Sequence, residues 1–218
     1  MTIAALSALP APPASPRAAR QRLPATVRST QILDAALRVF SERGFAASRI
    51  DDIAAAAGLS KGGIYTHFKS KEEIFEALLA RLPMPSPDDM ATLARDARVT
   101  VDLLVAQVIE PMYALLQETN TLLTLRLLLA DGARVPEHTA RWREAAVDPY
   151  HASIERLVQR GIRQGALRKS VLTQASWLLL APGVHAMLDR LVRSDAQPAL
   201  LAAQKKAHIA MLRELLEN

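Results

Sequence analysis

The sequence predicts an all-α protein. An N-terminal three-helix domain built around a helix-turn-helix is expected to precede a larger helical domain. Three observations carry the fold. Leucine and alanine dominate a chain that is 50% apolar, and both favour helix. No stretch alternates apolar and polar residues for long enough to form a half-buried strand. Residues 50–68 hold two short apolar-faced segments joined by Gly58, Leu59 and Ser60, and neither segment is long enough to persist without packing on the other.

The elements follow in order. Residues 1–24 carry five prolines and no acid and are expected to be a disordered extension. Arg17, Arg20 and Arg22 make that arm a candidate for a loose contact along a duplex. The spacing of Ile32, Ala36, Val39 and Phe40 predicts a helix over 28–43, closed by Gly44 in a left-handed cap. Ser48 with Asp51 reads as a capping box opening a second helix, and Gly58 stops it. Ser60 caps a third, which is expected to reach His67. Ser70 with Glu73 opens a fourth, which carries Ile74, Phe75, Leu78 and Leu79 inward until Pro83, Pro85 and Pro87 end it. That proline cluster divides the chain into 25–83 and 84–218. Beyond it, longer helices are expected at 91–118, 121–131, 136–146, 148–164, 171–194 and 198–217, with kinks at Pro111 and Pro182.

Composition excludes several classes of function. There is no cysteine, hence no disulfide, thiolate metal site or cysteine nucleophile. The five histidines show no metal-ligand spacing, and neither G-x-S-x-G nor H-E-x-x-H occurs. We therefore expect no metal, no cofactor and no enzyme. The run "WLLLAPGVHAML" is broken by Pro182 and His185 and is too short to span a bilayer. The N-terminus lacks the order of a secretory signal, so a cytoplasmic protein is expected. A formal charge of +5 is compatible with a polyanionic partner.

Packing the two short helices on their neighbours leaves one side of the third helix uncovered, and its chemistry suits a duplex. Lys61 can reach base edges or phosphate, and Gly62 and Gly63 let the backbone approach the groove floor. Tyr65 and His67 can donate to phosphate oxygens, with Ser60 and Thr66 on the same stretch. Lys71 and Ser48 sit at helix starts, where backbone amides already favour an anion.

The segment "ILDAALRVFSERGFAASRIDDIAAAAGLSKGGIYTHFKSKEEIF" resembles the N-terminal DNA-binding domain of the TetR family of bacterial transcriptional regulators. The resemblance runs over residues 28–79. It implies base contacts at Lys61 and Gly62 and phosphate contacts at Tyr65, His67 and Lys71. Two positions depart from the pattern. Asp51 occupies a site that is often basic or neutral, with Arg49 beside it to compensate, and Gly63 replaces a usual Thr or Ser.

The same resemblance implies a ligand-responsive regulator, a repressor that binds a palindromic double-stranded DNA operator as a homodimer and is released by a small-molecule effector. For the dimer, the residues offer a stripe of Leu172, Ala175, Leu179, Gly183 and Met187, and a second of Leu201, Ala207, Met211, Leu212 and Leu215. For the effector, the candidate contacts are Met112, Tyr113, Trp142, Tyr150, Trp177 and His185. No cluster of acids lies near the apolar stretches, so a hydrophobic or neutral effector is expected. A second reading keeps the fold but not the operator: an all-α small-molecule-binding protein whose helix-turn-helix no longer binds specific DNA.

Overall fold

The structure, a computed structural model, describes residues 24–96, 98–193 and 197–217; the expected tail of 1–23, with its arginines, lies outside them. Helix α1 (Ala25–Arg43) buries Ile32, Leu33, Ala35, Ala36, Leu37, Val39 and Phe40. It stops at Gly44, whose φ of 76° has the expected positive sign, but whose ψ of 158° is extended rather than left-handed helical. That region is essentially closed to residues with a Cβ. The chain therefore leaves α1 straight, and Phe45 returns to pack its ring on Phe40 at 5.4 Å and Phe75 at 5.3 Å.

Helix α2 (Ile50–Ala57) opens one residue later than the sequence predicts. The Asp52 carboxylate accepts the Arg49 N–H at 2.9 Å, so Arg49 and Asp52 take the places assigned to Ser48 and Asp51. Helix α3 (Lys61–Tyr65) is capped as expected, with the Ser60 hydroxyl accepting the Gly63 N–H at 3.1 Å. It ends two residues before His67. Helix α4 (Lys71–Leu79) is capped by Ser70, which accepts the Glu73 N–H at 3.1 Å.

The second half departs more from expectation. The helix expected over 91–118 is two: α5 (Pro87–Asp96) and α6 (101–115). Between them Val99 is fully buried and donates its N–H to the Gln164 side chain at 2.8 Å, and Thr100 starts the next helix by accepting the Leu103 N–H. After α7 (Thr119–Asp131), the two helices expected over 136–164 are one, α8 (136–163). Both α6 and α8 contain a wide turn with i→i+5 bonding just ahead of a proline, Val105–Ile109 before Pro111 and Arg143–Val147 before Pro149. Proline cannot donate to the i−4 carbonyl and its ring crowds that turn; widening the turn relieves both problems. The segment expected as one helix over 171–194 is α9 (Val171–Gln174), a 3₁₀ stretch (Ser176–Leu180) and α10 (Ala181–Val192). Helix α11 (Pro198–Leu216) closes the fold.

Two apolar cores result. One joins α1 to α4 and takes in Leu127 and Val135 from beyond the proline cluster. The other fills the space among α5 to α11. The expected dimer stripes point partly the wrong way: Leu172, Leu179, Gly183, Leu201 and Leu212 are buried within the chain. A helix that is apolar on most sides carries no signal for which side meets solvent. Among the described residues, the large apolar side chains exposed at this end are Val171, Trp177, Val184, Leu188 and Val192.

Candidate functional site

Burial of Ile53, Ile64 and Phe68 against α1 and α4 fixes α3 on the molecule and turns its other side outward. On that side lie Ser60, Lys61, Gly62, Tyr65 and Thr66, all exposed, with Gly63 and His67 at its edge. The Thr66 hydroxyl donates back to the Gly62 carbonyl at 2.9 Å. His67 Nδ1 lies 3.2 Å from the Ser29 hydroxyl on α1, and a hydroxyl donated there leaves the neutral ring's proton on Nε2. Arg49 is exposed at the start of α2. The Lys61 ammonium meets the Asp51 carboxylate at 2.9 Å, and that contact holds the lysine above its ordinary pKa.

The two glycines of α3 are not required by packing. A Cβ on Gly62 would have the Ser60 hydroxyl as its nearest neighbour at 4.0 Å, and one on Gly63 would meet only ordinary contacts at 3.5 Å.

Two expected phosphate contacts are turned inward. Ser48 is buried and its hydroxyl donates to the Gly44 carbonyl at 2.6 Å. The Lys71 ammonium donates to the carbonyls of Phe45 at 2.6 Å and Ser48 at 2.8 Å, and lies 4.4 Å from the Phe45 ring centroid. Both side chains fasten the α1–α2 turn. Three backbone or ring partners satisfy a lysine that the sequence offered to solvent.

The six ligand candidates separate. Met112 and Trp142 share a cavity of about 150 Å³ with Leu82, Met84, Thr121 and Gly183. Trp142 Nε1 is buried and meets no acceptor among the described residues. Tyr113 is buried and lines a different cleft, with Gln117 and Lys205. Tyr150 is a core residue whose burial pushes its phenol up to about 12. Trp177 stands 63% exposed beside His151, and His185 is also exposed. The sequence reading missed Leu82 and Met84. Their signal was two large apolar residues inside a proline-rich stretch that otherwise reads as linker.

Besides the shared apolar packing, polar contacts tie the two halves. Glu76 on α4 accepts from Arg141 at 2.7 Å and lies 2.7 Å from His138 Nδ1, both on α8. Arg141 holds the Glu76 carboxyl below its usual range. Asp131 at the end of α7 accepts the Phe45 N–H at 3.2 Å. Among the described residues no helix is long and apolar enough to cross a membrane, and no group of three acids or histidines is placed to hold a metal ion.

Residues 32–78 match the model for bacterial regulatory proteins of the tetR family. The transcriptional activator FasR of Mycolicibacterium smegmatis is 43% identical over 82 residues, which is 37% of this chain and 36% of FasR. The regulator AcrR of Shigella flexneri is 47% identical over 47 residues, 22% of each chain. The match thus spans about a third or less of these relatives' length. Among solved structures, the triclosan complex of SmeT, the repressor of a Stenotrophomonas maltophilia multidrug efflux pump, superposes with a TM-score of 0.72 at 25% identity, covering 88% of this chain and 92% of that one. A regulator from Mesorhizobium loti superposes with a TM-score of 0.66 at 22% identity, covering 90% of this chain and all of the other, and shows the shared fold.

Proposed function

We propose, from the premise that the N-terminal domain of this chain belongs to the TetR family of bacterial regulatory proteins, that the protein is a cytoplasmic, ligand-responsive repressor. It binds a palindromic duplex operator as a homodimer. The observation that carries this reading is the outward side of α3, where Lys61, Tyr65, Thr66 and His67 surround two glycines that the fold does not need. Such a surface sets the backbone against a groove floor while its flanks hold the strands. One five-residue helix makes few contacts, so a twofold copy doubles them and reads two half-sites. Trp177, Val184, Leu188 and Val192 supply the apolar surface for that copy.

The effector occupies the cavity of Met112 and Trp142. Its walls are apolar apart from the Thr121 hydroxyl and the unpartnered Trp142 N–H, which fits a neutral molecule with one hydrogen-bond acceptor. Leu82 and Met84, just beyond α4, form part of the wall. A ligand there favours a different setting of α4 and so a different spacing of the recognition helices, provided it binds that form better.

The test is selection of duplexes from a random library, followed by anisotropy titration of a variant carrying Lys61→Ala, Tyr65→Ala and His67→Ala. The selected duplex is expected to be palindromic and the variant to lose it. Retention of wild-type affinity by a folded triple variant, or tight ligand binding with no duplex recovered, overturns the reading.

A further inference from the structure

Resting on the DNA-binding reading above, we infer that Asp51 is a specificity-determining residue of the interface. It acts through Lys61 by setting which kind of acceptor that lysine can use. Two adjacent acids open α2, and they have separate partners. Asp52 accepts the Arg49 N–H and pairs with Arg43 at 2.7 Å, which closes the helix end. Asp51 takes no part in that contact. The Asp51 carboxylate reaches across to α3 instead, where Lys61 Nζ lies 2.9 Å from Oδ2. The two side chains are 62% and 54% exposed, so the pair is held in water on the outward side of the domain and contributes little to folding.

The consequence follows from charge. Lys61 is the one cation of α3 and sits at its first turn, where a helix lying in the major groove meets the bases. An ammonium has three donors, so it can keep Asp51 and still donate to a neutral acceptor such as guanine O6 or N7. A phosphate is different. It brings a second anion against the carboxylate, and an ammonium already neutralised by a fixed carboxylate releases no further counterion when it meets the backbone. Asp51 thus removes Lys61 from sequence-independent binding while leaving it able to read a base edge. The acid does not abolish the interface; it makes α3 selective for the acceptor-rich edge of a G·C pair over the strand.

The experiment uses four full-length proteins: wild type, Asp51→Asn, Lys61→Ala, and the double variant. Each is titrated across a potassium chloride series against a random-sequence duplex and against the duplex recovered by selection with wild type. Asp51→Asn is expected to tighten random-duplex binding by about threefold to tenfold and to steepen the log K against log salt slope by about 0.9, the signature of one added phosphate contact. The preference for the selected duplex falls accordingly. In the Lys61→Ala background the same change is expected to do nothing. Equal tightening with and without Lys61 reduces Asp51 to a general repulsive charge and overturns the inference. No tightening in either background also overturns it. If wild type binds no duplex, the DNA reading fails first and takes this inference with it. Thermal melts of all four proteins exclude a folding defect.

Discussion

A single methyl group separates two properties at Gly62. Among the described residues nothing lies closer than 4.0 Å to a Cβ built there, so Gly62→Ala gains helix propensity, up to about 1 kcal/mol, and the melting temperature is expected to rise by about 2–4 °C. DNA affinity is expected to move the other way, by about tenfold, because the added methyl holds the backbone off the groove floor. Calorimetry and anisotropy on one preparation check both signs, and unchanged affinity in the stabilised variant shows that α3 does not approach a groove. At this scale the sequence was legible where a serine caps the amide three residues ahead, as at Ser60 and Ser70, though the same bond from Thr100 to Leu103 was not foreseen. It was illegible where the partner lies behind or far away. The Ser48 hydroxyl turns back to Gly44, and the Lys71 ammonium finds carbonyls 23 and 26 residues earlier. The spacing around Lys71 also could not show that the lysine would serve the turn and not the solvent.

Among the elements, α4 is the part that transmits in the proposed mechanism. Its outer side is held by Glu76 against His138 and Arg141 of α8, while the residues just beyond its end line the cavity. Glu76→Gln is expected to leave both DNA affinity and ligand affinity within about threefold and to weaken their coupling by about 0.5–2 kcal/mol. The check is the ratio of DNA dissociation constants with and without ligand. The pH dependence has a definite sign. Arg141 depresses the Glu76 carboxyl below its ordinary 4.5, so the contribution of this contact is complete above that value and is lost as pH falls through the folded value. The Glu76–Arg141 part of the coupling therefore declines in acid, and Glu76→Gln abolishes that decline. The existence of each helix was legible from apolar spacing, but its continuity was not. The helices expected over 136–146 and 148–164 are one, because α8 runs through Pro149 by widening the turn before it. Val99 and Thr100 gave no punctuation by composition, yet burial of the valine and its bond to Gln164 stop the chain from continuing as helix.

For the whole molecule, the proposed dimer rests on the exposed apolar strip of Trp177, Val184, Leu188 and Val192. Val192 is 86% exposed, and a strip of this kind is the usual mark of a protein contact. Leu188→Glu is expected to give a monomer by sedimentation velocity, to keep its helical signal, and to lose at least about tenfold in operator affinity as the second half-site is lost. A variant that stays dimeric places the contact elsewhere. The sequence announced amphipathic closing helices but not their rotation, because Leu172, Leu179, Leu201 and Leu212 compete with the outward strip for the core and win it. One feature of the interior has a practical consequence. Asp131 holds the Phe45 amide, and Leu127 and Val135 complete the apolar packing beneath α1 and α4. The N-terminal head thus borrows its floor from the C-terminal half. A chimaera cut at the proline-rich seam would inherit a head with part of its underside missing, whereas a graft that carries residues up to Trp142 keeps that foundation whole.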